Sequence, residues 1–245
     1  MATKQLPPSI VSASDLQVGN ASAADSFSSV CDLPPIPATG RIAQSLQAAL
    51  GAGSDAVIEG GAASEATLRD LNADGRLRAA RIVAFNTHGL TAAELAGRAE
   101  EPALALTPAG GCGGDGVPMS EDPANDGFLT VSEIVELELD ADWVLLTACN
   151  TAAGDGQPGA EPLSGLARGF FYAGARELLV SHWPATVSSD VIEAGPTELL
   201  IEALFDPANN TLSKAQALQA ARANVRATFP HPTHWATFSL IGDGR

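Results

Sequence analysis

Residues 141–150, ADWVLLTACN, set an unbroken apolar run against an abrupt polar end. Two other stretches repeat the pattern: ARIVAFNTHG at 80–89 and RELLVSHW at 176–183, the latter stopped by Pro184. Runs of this length without alternation read as strands covered on both faces, as parallel strands are. Helical patterns separate them. RIAQSLQAAL (41–50) places Ile42, Leu46 and Leu50 at helical spacing, and SEATLRDL (64–71) follows a short strand, DAVIEGG (55–61). PALALTP (102–108) reads as another strand, and LTVSEIVELEL (129–139) as a helix behind a Thr130-x-x-Glu133 capping box. LSGLARGFFYAGA (163–175) predicts a helix ending at Gly174, and two more cover 190–205 and 212–226. The chain closes with HPTHWATFSLIGDGR, read as a terminal strand. In residues 1–35 we read at most a short strand near 15–19. Strands alternating with helices predict a parallel sheet with helices on both faces, in one α/β domain.

Composition narrows the function. The chain has 245 residues, 45 % of them hydrophobic, and 29 acidic against 13 basic residues give a net charge of −16. That balance argues against a nucleic-acid partner, because no basic patch is present to meet phosphates. No apolar run approaches the roughly 18 residues of a membrane helix, so no membrane partner is expected. The N-terminus lacks the apolar core of a secretory signal, and Cys31, Cys112 and Cys149 show no disulfide or zinc-ribbon pattern. A reducing, cytoplasmic setting is the expectation, with Cys31 and Cys112 incidental.

In open α/β sheets, ligand sites gather beyond the carboxyl ends of the strands. Three of the buried runs end there in polar residues: His88, Cys149 and His182. A cysteine and a histidine on neighbouring strand ends suit a nucleophile and its acid/base partner. The N–H groups of Gly89 and Cys149 suit an oxyanion hole. A cysteine ending a buried strand is, however, most often a small core hydrophobe. His182 reads as a packed strand-end residue, and His231 and His234 as a turn rather than a metal pair. The loop 110–127 is Gly/Asp-rich without the Gly-Lys-Ser/Thr of a phosphate cradle. Its acids, with Asp155, read as a solvated surface, with Ca²⁺ or a basic substrate segment as the lesser option.

The segments IVAFNTHGL, DGFLTVSEIVELELDADWVLLTACNTAAGDG, PLSGLARGFFYAGARELLVSHWP and HPTHWATFSLIGDG resemble, in this order, the CHAT family of caspase-like peptidase domains. The resemblance runs from about Leu33 to Gly244. It leaves residues 1–32 as an N-terminal extension or the start of the domain, with 33–245 as the CHAT domain. It implies a three-layer α/β/α sandwich with a mostly parallel, caspase-like central sheet. Its His-Gly motif falls on His88-Gly89 and its Ala-Cys motif on Ala148-Cys149. The implied activity is that of a cysteine endopeptidase using a Cys149–His88 dyad on a protein or peptide substrate, with no metal or cofactor. Ser181 and Trp183 match the strand lining the family's substrate cleft, and Asp190 is the nearest acid for the pocket, displaced in WPATVSSD. Thr147 stands where metacaspase-like enzymes place an Asp. Such domains often follow TPR arrays in bacteria, so a TPR-type regulatory region or partner chain is implied. Two other functions compete: a catalytically silent interaction module, and a different hydrolase such as an amidase or acyltransferase.

Overall fold

The structure is a computed structural model, and it describes residues 27–34, 36, 39–95, 100–114, 116–120, 122–147, 165–183, 194–209 and 211–244, with the main chain of 9–12. In chain order its elements are β1 (Ser9–Ser12), α1 (Thr39–Leu50), β2 (Val57–Ile58), α2 (Glu65–Ala73), α3 (Arg76–Ala79), β3 (Ile82–Asn86), β4 (Gly89–Leu90) and β5 (Ala103–Ala105). There follow β6 (Phe128–Thr130), α4 (Val131–Ile134), β7 (Trp143–Leu146), α5 (Gly165–Tyr172) and β8 (Leu178–Ser181), then α6 (Pro196–Leu204), α7 (Lys214–Thr228), α8 (Pro232–Trp235) and β9 (Phe238–Ile241).

Six strands form the main sheet in the order β2-β1-β3-β7-β8-β9. The first five run parallel, and β9 returns antiparallel against β8. The apolar runs have both faces covered. Val83, Phe85, Val144, Leu146, Leu178 and Val180 enter one core with residues of α2, α3, α4 and α5. Ala84, Trp143, Leu145 and Leu179 alternate to the other core, against α1, α6 and α7. The result is a three-layer α/β/α fold with a mostly parallel central sheet.

Three local readings differ from expectation. Strand β1 lies at Ser9–Ser12, between β2 and β3, whereas the stretch near 15–19 lies outside the described residues. Four residues of SIVS carry too little periodicity to mark a strand; pairing on both edges does so. Residues 129–139 are not one helix. Phe128–Thr130 pair with β5, the capping box Thr130–Glu133 starts α4, and the Leu139 N–H leaves to the Ala173 carbonyl. Finally, β4, β5 and β6 form a separate antiparallel sheet beside the main one, and the C-terminal stretch contains α8 before β9.

Gly174 ends α5 as the sequence predicts, and its reason is physical. It sits at φ +109°, and a Cβ there would lie 2.1 Å from the Leu139 carbonyl oxygen. Only glycine permits both.

Candidate active site

Strand β3 ends in Asn86, and the chain passes through Thr87 and His88 into β4 of the second sheet. Two bonds pin this crossing. The Thr87 hydroxyl donates to the Ala105 carbonyl at 2.5 Å, and the Ala105 N–H donates to the His88 carbonyl at 2.9 Å. Bonded pairs alternate along an antiparallel ladder. With Ala105 bonded to His88, the next residue, Gly89 opposite Leu104, directs its N–H away from β5.

The His88 ring is half-buried, and its Nε2 lies 2.6 Å from the Pro34 carbonyl oxygen. A carbonyl only accepts, so Nε2 carries the proton and Nδ1 is left as the acceptor. Burial lowers the His88 pKa, partly opposed by the Pro34 bond and by the negative charge of Glu94. Burial thus favours the neutral ring, and the Pro34 bond favours its Nε2–H tautomer. The Glu94 carboxylate is itself held by the Thr91 N–H at 2.7 Å and hydroxyl at 2.8 Å.

Pro34 reaches His88 because the segment before it is anchored. Ser29 and Asp32 cap a 3-10 turn at Val30–Asp32, while Val30 and Leu33 are fully buried. The Phe27 N–H donates to the Glu94 carbonyl at 2.6 Å. Cys31 forms a disulfide with Cys112, with a Cα–Cα separation of 5.8 Å. This corrects the reading of both cysteines as incidental thiols and of the chain as lacking a disulfide. The partners stand 81 residues apart, and only the folded chain brings them together. The loop carrying Cys112 is also organised, with bonds from Gly113 to Val117 and from Met119 to Gly111.

Beside His88, strand β7 ends at Leu146. The Thr147 N–H continues the pairing by donating to the Phe85 carbonyl at 3.1 Å. The Thr147 hydroxyl lies 2.5 Å from Asn86 Oδ1 and donates to it. Both side chains are buried, and Asn86 Nδ2 has no acceptor among the described residues. Ser181, ending β8, is fully buried as well. By strand alternation Asn86, Thr147 and Ser181 continue the face of Ala84, Leu145 and Leu179, as a polar row across three carboxyl ends. Each of the first two stands two residues ahead of a proposed catalytic residue, His88 and Cys149. Cys149 and Asp190 lie outside the described residues.

Trp183 is half-buried, and its Nε1 donates to the Thr233 carbonyl at 3.2 Å. His182 is not packed but exposed, with Nε2 2.7 Å from the Ser239 hydroxyl. His231 caps α8, its Nδ1 accepting from the Thr233 N–H. Among the described residues, no three His, Cys, Asp or Glu side chains could together hold a metal ion, and no helix is long and apolar enough to cross a membrane. A separate concavity of about 730 Å³, lined by Glu100, Glu101, Asp126, Phe128, Thr130 and Glu133 among others, opens along β6.

Of the expected site, the structure describes His88, Gly89, Ser181 and Trp183. Sequence reading missed the Pro34 carbonyl, since a backbone acceptor has no side-chain signature. It also missed the Asn86–Thr147 bridge, for which the matching polar ends of two apolar runs were the available signal.

Tetratricopeptide repeat protein 28 of Mus musculus is 30 % identical over 122 residues, which are 49 % of this chain and 5 % of the relative. The protein of the same name from Homo sapiens is 30 % identical over 131 residues, 52 % of this chain and 5 % of the relative. The match thus spans a small fraction of these relatives' length. The CHAT domain profile matches residues 2–243, essentially the whole sequence, and the chain belongs to the CHAT domain family.

Proposed function

We propose that the chain is a cysteine endopeptidase in which Cys149 is the nucleophile and His88 the general acid/base. One observation carries this reading: His88, at the carboxyl end of β3, is oriented through Nε2 by the Pro34 carbonyl. That leaves Nδ1 as proton acceptor beside the strand whose continuation carries Cys149. Cys149, its proton taken by His88, attacks the scissile carbonyl. The N–H groups of Gly89 and Cys149 receive the oxyanion, and the outward direction of the Gly89 N–H supports that role. His88 then protonates the leaving amine, and water hydrolyses the thioester. No cofactor enters this sequence. Ser181, Trp183 and Asp190 are proposed to line the substrate cleft, with residues 1–32 as the start of the domain. The names of the relatives support a TPR-type region or partner as regulator.

Peptidyl acyloxymethyl ketones varying in the residue before the warhead test the reading. Covalent labelling of the wild type that is absent in Cys149→Ala is expected. Absence of labelling in both, with and without a tetratricopeptide-repeat partner, would leave a catalytically silent interaction module.

A further inference from the structure

The disulfide lies three residues from the carbonyl that orients His88. Cys31 sits in the 3-10 turn, Leu33 is buried after it, and Pro34 then presents its carbonyl to Nε2 at 2.6 Å. Besides the disulfide, the segment is tied by the Phe27–Glu94 bond and by the burial of Val30 and Leu33. The two cysteines differ in exposure. Cys31 is 4 % exposed, whereas Cys112 is half-buried on a loop whose tip exposes Val117 and Met119.

We propose that the Cys31–Cys112 disulfide is a reversible redox latch that holds the Pro34 carbonyl against His88, so that its reduction by a dithiol disorients the histidine. The inference rests on the proposed role of His88 for its effect on activity, but not for its effect on the ring. One thiolate of the dithiol attacks the sulfur of Cys112, the more exposed of the two residues, and Cys31 leaves as a thiolate that takes up a proton. The second thiol of the reductant, as thiolate, attacks the mixed disulfide and releases Cys112, which is protonated in turn. The protein disulfide gains two electrons and two protons, and the dithiol becomes a disulfide. Without the cross-link, the closure of an 81-residue separation is no longer enforced, and the 27–34 segment gains freedom. His88 then loses the bond that fixes its tautomer.

The test follows His88 directly, by the ¹⁵N ring resonances of the intact chain during titration with dithiothreitol, with the thiol state read by mass spectrometry. Reduction of the 31–112 pair is expected to move His88 out of the single Nε2–H tautomer. In parallel, acyloxymethyl ketone labelling of Cys149 is expected to fall by about 10- to 100-fold, the scale for a displaced catalytic group. The Cys31→Ser/Cys112→Ser variant should be slow at every dithiol concentration. Because dithiol also keeps Cys149 reduced, this variant can only gain from it, whereas the wild type should lose. Should the variant fail to fold, Cys112→Ser, which spares the buried position, and the reduced wild type give the same readings. Unchanged His88 resonances after full reduction, or free thiols at 31 and 112 in the air-oxidised chain, would overturn the latch. A His88 response without labelling in any state would instead support the latch and overturn the peptidase reading.

Discussion

The two ends of strands β3 and β7 carry opposite kinds of polar cross-link. At the amino ends, Arg81, Asp142, Arg176 and Asp140 form a paired charge network in which both arginines are about half exposed. At the carboxyl ends, Asn86 and Thr147 bridge the same strands without charge and buried, with one amide donor that meets no acceptor among the described residues. The first arrangement is one that water tolerates and barely rewards. The second is uncharged and buried. Polar groups at the amino end join strands in contact with water; those at the carboxyl end join them inside a core.

The sharpest break of this contrast is at His88. His88→Ala is expected to lower labelling of Cys149 by roughly 10²- to 10⁴-fold, with a small change in urea midpoint. Because burial holds the His88 pKa below 6.5, the acid limb of the wild-type rate should lie below that value. Next comes the double variant Asn86→Leu/Thr147→Val, which removes both halves of the buried bridge. Its unfolding free energy is expected within about 1 kcal/mol of wild type, while labelling falls roughly tenfold. A large loss of stability with full labelling would reduce the bridge to a structural cross-link.

A buried acid sharpens the comparison in another way. Glu65 is 1 % exposed, accepts the Gly127 N–H at 2.7 Å, and faces Glu133 and Asp126. Burial, helped by those two charges and opposed by the Gly127 bond, pushes its pKa from 4.5 up to about 8. Between these values the folded chain holds a proton that the unfolded chain releases, so stability falls as pH rises through that window. Glu65→Gln should remove this dependence. Its Tm should exceed wild type by several degrees near about pH 8 and match it near about pH 4, at about 2–4 °C per kcal/mol. The smallest effect is expected at the amino end. Asp142→Asn should cost under about 1 kcal/mol in urea unfolding, and the difference should shrink in about 1 M salt.

Much of the fold is legible because its strands obey a local rule. The runs 80–89, 141–150 and 176–183 are apolar throughout since both faces of β3, β7 and β8 meet helices. Their polar ends also pointed to His88. The segment 129–139 misled because a capping box marks where a helix begins and says nothing of its length; four residues later the chain turns away. Strand β1 escaped notice because SIVS draws its identity from two neighbours that the rest of the chain supplies.

Side-chain chemistry and hydrophobic period, both short-range properties, were therefore enough for the layered α/β plan and for the candidate histidine. The tautomer of that histidine, the Asn86–Thr147 bridge and the Cys31–Cys112 pairing were settled only by closure of the fold. Each depends on groups 54, 61 and 81 residues apart in the chain. One of those groups is a backbone carbonyl, which every residue possesses and no sequence pattern distinguishes.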